Sequence, residues 1–184
     1  MLKRTQIAAL VAEFMGVAAL VMVLLAISKS GVGFSFFIAG GVGLSVAFLS
    51  LIVGAASGAH FNPAVTIGLW TTRKVTTIRA VTFVLAQLLG GLAAWKLYDY
   101  LVGQPLSSIA PKTMDWHVFW AEALGALLIT MAYSAAVYKR QWSIFYAATI
   151  GGGVFVGMML ASLASNGLAN PAIALGMRSW SMAY

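Results

Sequence analysis

The sequence predicts an all-α membrane protein, a bundle of five spanning helices and two shorter helices that enter the membrane without crossing it. Of its 184 residues, 61% are hydrophobic and only 8% are charged, whereas soluble domains carry about 25% charged residues. The apolar residues also fall in long blocks. Because a helix needs about 20 apolar residues to cross the hydrocarbon core, the composition places the chain in the membrane class.

Five blocks reach that length, and we predict spans at Gln6–Ser28, Phe36–Ser57, Ile78–Leu101, Trp116–Tyr138 and Ser143–Ala164. The first block is too long for the apolar region of a signal peptide, so we expect it to be retained. Two further apolar segments, Phe61–Trp70 and Ala169–Met177, are too short to span. We predict that both are re-entrant half-helices.

Each short segment contains an Asn-Pro-Ala turn, formed by Asn62, Pro63 and Ala64 and by Asn170, Pro171 and Ala172. Asn is a favoured helix N-cap, and Pro is favoured in the first helical turn, where its missing N–H is not needed. Each turn therefore predicts a helix start. Non-helical backbone at membrane depth is tolerated only where it contacts protein or lines a water-filled space, so we expect the turns to border a cavity.

The two halves of the chain resemble each other. Glu13 precedes Asn62 by 49 positions and Glu122 precedes Asn170 by 48. An odd number of spans separates the two units, which predicts an inverted repeat whose site lies near the midplane. We therefore expect a single domain over residues 1–184, with a first repeat at 1–103 and an incomplete second repeat at 113–184. The second repeat lacks the counterpart of Ile78–Leu101, so we expect the sequence to be incomplete before a sixth helix rather than to belong to a natural five-helix protein.

The formal net charge of +7 indicates topology rather than nucleic-acid binding. If the chain crosses the membrane five times, its basic residues divide unevenly between the two sides. One side of the membrane has Lys3, Arg4, Arg73, Lys74, Arg79, Lys139 and Arg140. The other side has Lys29, Lys112 and Arg178, with Lys96 nearby. The denser side should be cytoplasmic, which predicts a cytoplasmic N-terminus. An interfacial aromatic belt is expected from Trp95, Tyr98, Tyr100, Trp116 and Trp120.

Catalytic chemistry is not expected. The chain has no cysteine and only four acidic residues, which excludes disulfides and thiolate sites and leaves little for general acid–base work. We predict no metal site, no cofactor and no enzymatic activity.

Three features resemble the major intrinsic protein family, the aquaporins and glycerol facilitators. The first is the segment Ser57-Gly58-Ala59-His60-Phe61-Asn62-Pro63-Ala64-Val65-Thr66. The others are a second Asn-Pro-Ala in register with the repeat and a Glu in the first helix of each half. The second signature departs from the family pattern, because Ile173 and Ala174 stand where glycerol facilitators have Arg and Asp. The resemblance implies a passive channel for water or small uncharged solutes such as glycerol. It further implies a homotetramer with one pore per subunit, embedded in the bilayer of the plasma (inner) membrane.

The resemblance also implies roles for individual residues. A selectivity filter falls at Val42, Met158, Gly167 and Ile173. Extended loops would line the pore with the carbonyls of Gly58, Ala59, His60, Phe61, Asn166, Leu168 and Ala169. Glu13, Glu122 and Gln87 would brace those loops. His60 either lines the pore or braces a loop, and Arg178 is expected at the surface rather than in the filter. Because no ring or charge occupies the filter positions, we expect a wide, apolar filter.

Two other interpretations stay open from the sequence. Glu13, Glu122 and the missing Arg would also suit an ion- or proton-coupled transporter. The absent sixth helix would suit a non-conducting structural membrane protein.

Overall fold

The computed structural model describes residues 3–31, 33, 35–110, 113–140 and 143–179. In these ranges the chain forms seven helices: α1 (Arg4–Lys29), α2 (Ser35–Ser57), α3 (Pro63–Thr71), α4 (Thr77–Val102), α5 (Trp116–Tyr138), α6 (Ser143–Ala161) and α7 (Pro171–Gly176). Of these, α1, α2, α4, α5 and α6 are long and apolar enough to cross a membrane. The all-α membrane bundle predicted from the sequence is therefore confirmed.

The helix starts follow from local capping. Asn62 accepts a hydrogen bond from the Ala64 N–H at 2.9 Å, with Pro63 at the first helical position. Asn170 caps α7 in the same way through the Ala172 N–H at 3.0 Å. These bonds satisfy backbone donors that a helix N-terminus leaves unpaired. Two apolar segments thus become short helices because their sequences specify where they begin.

Most span boundaries differ from the prediction by one or two residues, and the end of the fifth span differs by three. The fifth span ends at Ala161 and not at Ala164. Beyond this end, the Ser165 hydroxyl donates to the Ala161 carbonyl at 2.8 Å and to Glu122 of α5 at 2.6 Å. Lys112 lies outside the described residues.

The two repeats meet through α2 and α6. A Cβ placed on Gly43 would lie 2.7 Å from the Gly151 carbonyl oxygen, and one on Gly151 would lie 2.6 Å from the Gly43 carbonyl oxygen. Each glycine stands at the same position along the chain before its own Asn-Pro-Ala turn. The contact is therefore reciprocal, as an inverted repeat requires.

The bundle encloses a few polar side chains within a mostly apolar interior and exposes large apolar side chains on its outside. Large side chains such as Leu44, Phe48 and Ile52 are exposed on α2, where lipid would cover them. Glu13, Gln87 and Thr66 are fully buried in the bundle interior. Since buried polar groups need partners, this interior is where a functional site is expected.

Candidate pore and its constriction

The two Asn-Pro-Ala turns meet in the middle of the bundle. The Asn62 side-chain Nδ2 donates to the Ala169 carbonyl at 3.0 Å, and the Asn170 Nδ2 donates to the Phe61 carbonyl at 2.9 Å. Each Asn thus caps its own half-helix with its oxygen and binds the opposite loop with its nitrogen. Because an amide nitrogen carries two N–H groups, each Asn keeps one donor for a molecule in the cavity.

The electrostatics of this point follow from the two helix ends. The N-termini of α3 and α7 both point to the centre, and a helix N-terminus carries a partial positive charge of up to about half an elementary charge. The short lengths of α3 and α7, nine and six residues, limit that charge. A cation at the centre would nevertheless face two positive ends and two N–H donors.

The loops that precede the turns are not extended, contrary to the prediction. Ala59, Phe61 and Ala169 have φ angles of 52°, 50° and 47°, and Gly58 and Gly167 also have positive φ. Alternating left-handed residues make successive N–H groups converge on one anion. The backbone accepts this strained conformation because a carboxylate lies at the point of convergence.

That carboxylate is Glu13 in the first repeat. It is 0% exposed and accepts hydrogen bonds from the N–H groups of His60 at 2.9 Å and Phe61 at 2.7 Å. The Gln87 Nε2 also donates to it at 2.7 Å, and to the Thr66 hydroxyl at 2.9 Å. Glu13 therefore contacts the loop directly, whereas Gln87 is linked to that loop through Glu13.

Glu122 makes the corresponding contacts in the second repeat. It accepts from the N–H groups of Leu168 at 3.1 Å and Ala169 at 2.5 Å. Its third donor is the Ser165 hydroxyl, and among the described residues no helix side chain takes the position that Gln87 has in the first repeat. Glu122 is also only half-buried.

Several of the predicted carbonyls face protein and not the cavity. The Gly58 carbonyl accepts from the Tyr146 hydroxyl at 2.7 Å, and the Ala59 carbonyl accepts from the Tyr133 hydroxyl at 2.8 Å. Of the seven residues whose carbonyls were predicted to line a pore, His60, Phe61 and Leu168 border the central cavity, whereas Gly58, Ala59, Asn166 and Ala169 do not.

Three of the four predicted filter residues border the same cavity. Val42, Met158 and Ile173 are 1%, 3% and 2% exposed and lie on its wall. Gly167 does not line it. A Cβ on Gly167 would lie 2.8 Å from the Met158 carbonyl oxygen, so this residue packs behind α6 instead.

The cavity between the two turns is small, and the wide, apolar filter expected from the sequence stays a prediction. Its volume is about 10 Å³, enough for about one water molecule.

Four further apolar residues line the cavity without having been predicted: Leu20, Val46, Ile129 and Val154. Val46 and Val154 stand one helical turn from Val42 and Met158, so helical spacing from the filter positions would have found them. Leu20 in α1 and Ile129 in α5 each follow the glutamate of their helix by seven residues, or two turns, so helical spacing from Glu13 and Glu122 would have found them too.

His60 combines the two roles that the sequence left open. It borders the cavity, and its Nδ1 lies 3.1 Å from the Thr66 hydroxyl. Arg178 does not border the cavity. Its guanidinium donates to the Leu106 carbonyl and lies 4.9 Å from the centroid of the Trp95 ring.

Comparison with known proteins decides the family. The family model described as "Major intrinsic protein" matches residues 1–184. The chain belongs to the major intrinsic protein family. Multi-pass insertion in a membrane follows from this membership and from the five apolar helices.

Members of the family with curated names include Aquaporin-1 of Sus scrofa, which is 32% identical over 142 residues, 73% of this chain and 52% of that protein. Aquaporin Z of Photorhabdus laumondii is 42% identical over 86 residues, 43% of this chain and 34% of that protein. The chain thus spans about half the length, or less, of these relatives. The aquaglyceroporin structure from Plasmodium falciparum superposes with a TM-score of 0.78 and 22% identity, covering 94% of this chain and 80% of that one. At this identity the superposition establishes the shared fold.

Proposed function

We propose that this major intrinsic protein is a passive channel for water and the smallest uncharged solutes. The observation that carries the proposal is the reciprocal pairing of Asn62 and Asn170 across the centre of the bundle. That pairing leaves one N–H donor of each amide for a molecule passing through the apolar cavity.

The two donors suit an oxygen atom. A water molecule at the centre accepts from both Asn amides, so its own hydrogens point outward along the cavity in opposite directions. This orientation interrupts a chain of hydrogen bonds that would otherwise conduct protons. The positive ends of α3 and α7 add a barrier to cations. Conduction of uncharged molecules without ions follows from this arrangement.

The apolar lining of the cavity favours solutes that need few hydrogen bonds to the protein. Val42, Met158 and Ile173 offer no hydrogen bonds, and leaving a hydroxyl without a partner costs about 1–3 kcal/mol in proteins. Glycerol would lose partners for several hydroxyls at once in a cavity with room for about one water molecule. Water in single file keeps hydrogen bonds to its neighbours. We therefore expect water to pass faster than urea, and urea faster than glycerol.

The contacts of the two glutamates favour bracing over proton-coupled transport. Both carboxylates accept backbone N–H groups of the loops that carry the turns. A carboxylate that must release these donors to carry a proton would loosen the constriction. Flux in the proposed channel is accordingly independent of an imposed proton gradient.

The test is flux into liposomes that contain the purified chain. Light scattering after an osmotic step would give the permeability to water, urea and glycerol, and a pH-sensitive dye would report protons. Leu124→Ala, on a lipid-facing position that is 47% exposed, is the matched control and should behave as the parent. Water permeability no higher than that of empty liposomes would refute the proposal, and so would flux that follows the proton gradient.

The proposed channel has a cytoplasmic N-terminus in the plasma (inner) membrane and assembles as a homotetramer. The orientation is supported by basic residues that gather at one end of the bundle, where Arg79 donates to the Ser57 carbonyl at 2.8 Å and Lys74 lies 5.7 Å from the Tyr138 ring centroid. Protease protection of a tag before Lys3 tests the orientation. Mass measurement of the intact assembly released from detergent tests the tetramer.

A further inference from the structure

Two tyrosines of the second repeat bind the first-repeat loop, the segment 57–61 that precedes the first Asn-Pro-Ala turn. The Tyr133 hydroxyl of α5 donates to the Ala59 carbonyl at 2.8 Å, and the Tyr146 hydroxyl of α6 donates to the Gly58 carbonyl at 2.7 Å. The two rings meet edge to face, with their centroids 6.5 Å apart. The tyrosine pair therefore covers two neighbouring backbone acceptors.

The other carbonyls of the first-repeat loop are almost all occupied as well. The Ser57 carbonyl accepts from the Arg79 guanidinium at 2.8 Å, and the Phe61 carbonyl accepts from the Asn170 amide at 2.9 Å. Among the described residues, this leaves the His60 carbonyl as the one carbonyl of the loop without a donor. His60 borders the central cavity, so a molecule on this side of the constriction meets a single free backbone acceptor.

The tyrosine cover is present in one repeat and not in the other. Tyr133 and Tyr146 stand 37 and 24 positions before the Asn of their own Asn-Pro-Ala turn. At the same distances before the first turn the chain has Leu25 and Ile38. Neither side chain has a hydroxyl, so these counterparts cannot cover carbonyls of the second loop. The two sides of the constriction therefore differ chemically although the fold repeats.

A covered carbonyl offers less to a passing solute. A carbonyl oxygen has two lone pairs, and the tyrosine O–H takes one of them. Tyr133 borders the central cavity, whereas Ala59 does not border it and is 0% exposed. Urea and glycerol carry several donors that need acceptors once their water is shed. Water in single file keeps hydrogen bonds to its neighbours and needs fewer acceptors from the wall.

We propose that Tyr133 and Tyr146 are specificity-determining residues, which disfavour solutes with several hydrogen-bond donors by occupying two carbonyls of the first-repeat loop. This inference rests on the proposed channel function and adds a second selective region to the apolar cavity wall. Water passes this region with the His60 carbonyl as its backbone acceptor. A solute with more donors leaves some of them unpaired there.

Bracing of the loop alone is the alternative role for the two hydroxyls, and it predicts a different response to their removal. If the hydroxyls only brace the loop, their loss loosens the constriction and changes the flux of water and urea by the same factor. If they cover acceptors, their loss leaves two carbonyls unsatisfied, and a solute that donates to them gains what an unpaired buried acceptor would cost. Urea flux then rises relative to water flux.

Tyr133→Phe and Tyr146→Phe, singly and together, test the proposal because they remove the hydroxyls and keep the rings. Each variant would be reconstituted in liposomes at equal protein density, and light scattering after an osmotic step would give the urea-to-water permeability ratio. Tyr138→Phe, on α5 at a position that is 78% exposed, is the matched control. We expect the ratio to rise severalfold in the double variant, to rise less in each single variant, and to stay at the parent value in the control.

An unchanged ratio in variants that still conduct water would overturn the proposal, and so would urea and water fluxes that change by the same factor. If the double variant does not fold, the single variants decide. Infrared difference spectra between the parent and each Phe variant isolate the C–O stretch of one tyrosine, which reports whether its hydroxyl donates; a free hydroxyl at either position would also overturn the proposal. Absence of water flux in the parent would refute the channel function and this inference with it, whereas parent flux with an unchanged ratio would overturn this inference alone.

Discussion

Replacing Glu13 by Ala is the most informative perturbation of the constriction. The residue is 0% exposed, and its carboxylate is the acceptor for the N–H groups of His60 and Phe61. Gln87 retains the Thr66 hydroxyl after the substitution. The two backbone donors of the loop lose their partner.

The expected loss of stability follows from the two backbone N–H groups that lose their acceptor. Each buried donor left unsatisfied costs about 1–3 kcal/mol, so Glu13→Ala should lower the free energy of unfolding by about 2–6 kcal/mol. Glu13→Gln keeps one acceptor oxygen and should lose about half as much. Glu122→Ala should lose less than Glu13→Ala, because Glu122 is half-buried and the Ser165 hydroxyl remains beside the freed N–H groups.

The assay is reversible unfolding of the purified variants in mixed micelles, followed by tryptophan fluorescence and circular dichroism. Folded variants would then be assayed for water flux in liposomes. The expected order of loss is Glu13→Ala, then Glu13→Gln, with Glu122→Ala below Glu13→Ala. The bracing argument fails if Glu13→Ala unfolds within about 0.5 kcal/mol of the parent, the range of an ordinary surface substitution, or if Glu122→Ala is the more damaging change.

Three further predictions concern packing, selectivity and pH. Gly90→Leu should destabilise the protein by about 1–3 kcal/mol through overpacking against α1. The control, Gly152→Leu, should be close to neutral because nothing lies within 4 Å of its added Cβ. Equal shifts of the unfolding temperature in the two variants would contradict this prediction. Ile173→Ala should raise urea permeability severalfold over the parent by enlarging the narrow cavity, and unchanged urea flux would show that Ile173 does not limit passage. The pKa of Asp115 is lowered from its ordinary 3.8, chiefly because the carboxylate accepts the His117 N–H at the start of α5. The Asp115 cap is therefore complete above that value and lost as the pH falls through the folded pKa. Protection of the amides at the start of α5, measured relative to their intrinsic exchange rates, should fall on acidification in the parent and not in Asp115→Asn, and equal responses would count against the cap.

Much of the candidate site was predictable because its signals are local. An Asn followed by Pro caps and starts a helix whatever surrounds it, so Asn62 and Asn170 marked the half-helices. The nearly equal spacing from Glu13 to Asn62 and from Glu122 to Asn170 indicated the repeat, because this spacing can be counted along the chain without a structure. The spans followed from apolar block length.

The tertiary structure decided which side chains from different helices lie around the same cavity. Leu20 and Ile129 line the cavity together with residues of α2, α6 and α7, and which of these side chains meet there depends on how the helices pack. The cavity volume of about 10 Å³ depends on which side chains share its wall, Met158 and Ile173 among them. The sequence by itself determined where the helices begin, which residues repeat and that the chain lies in a membrane. Only the folded bundle decided that the loops before the turns adopt left-handed conformations around a carboxylate. It also decided that Glu13 is fully buried while Glu122 is half-buried. Both properties are set by contacts between residues far apart in the chain.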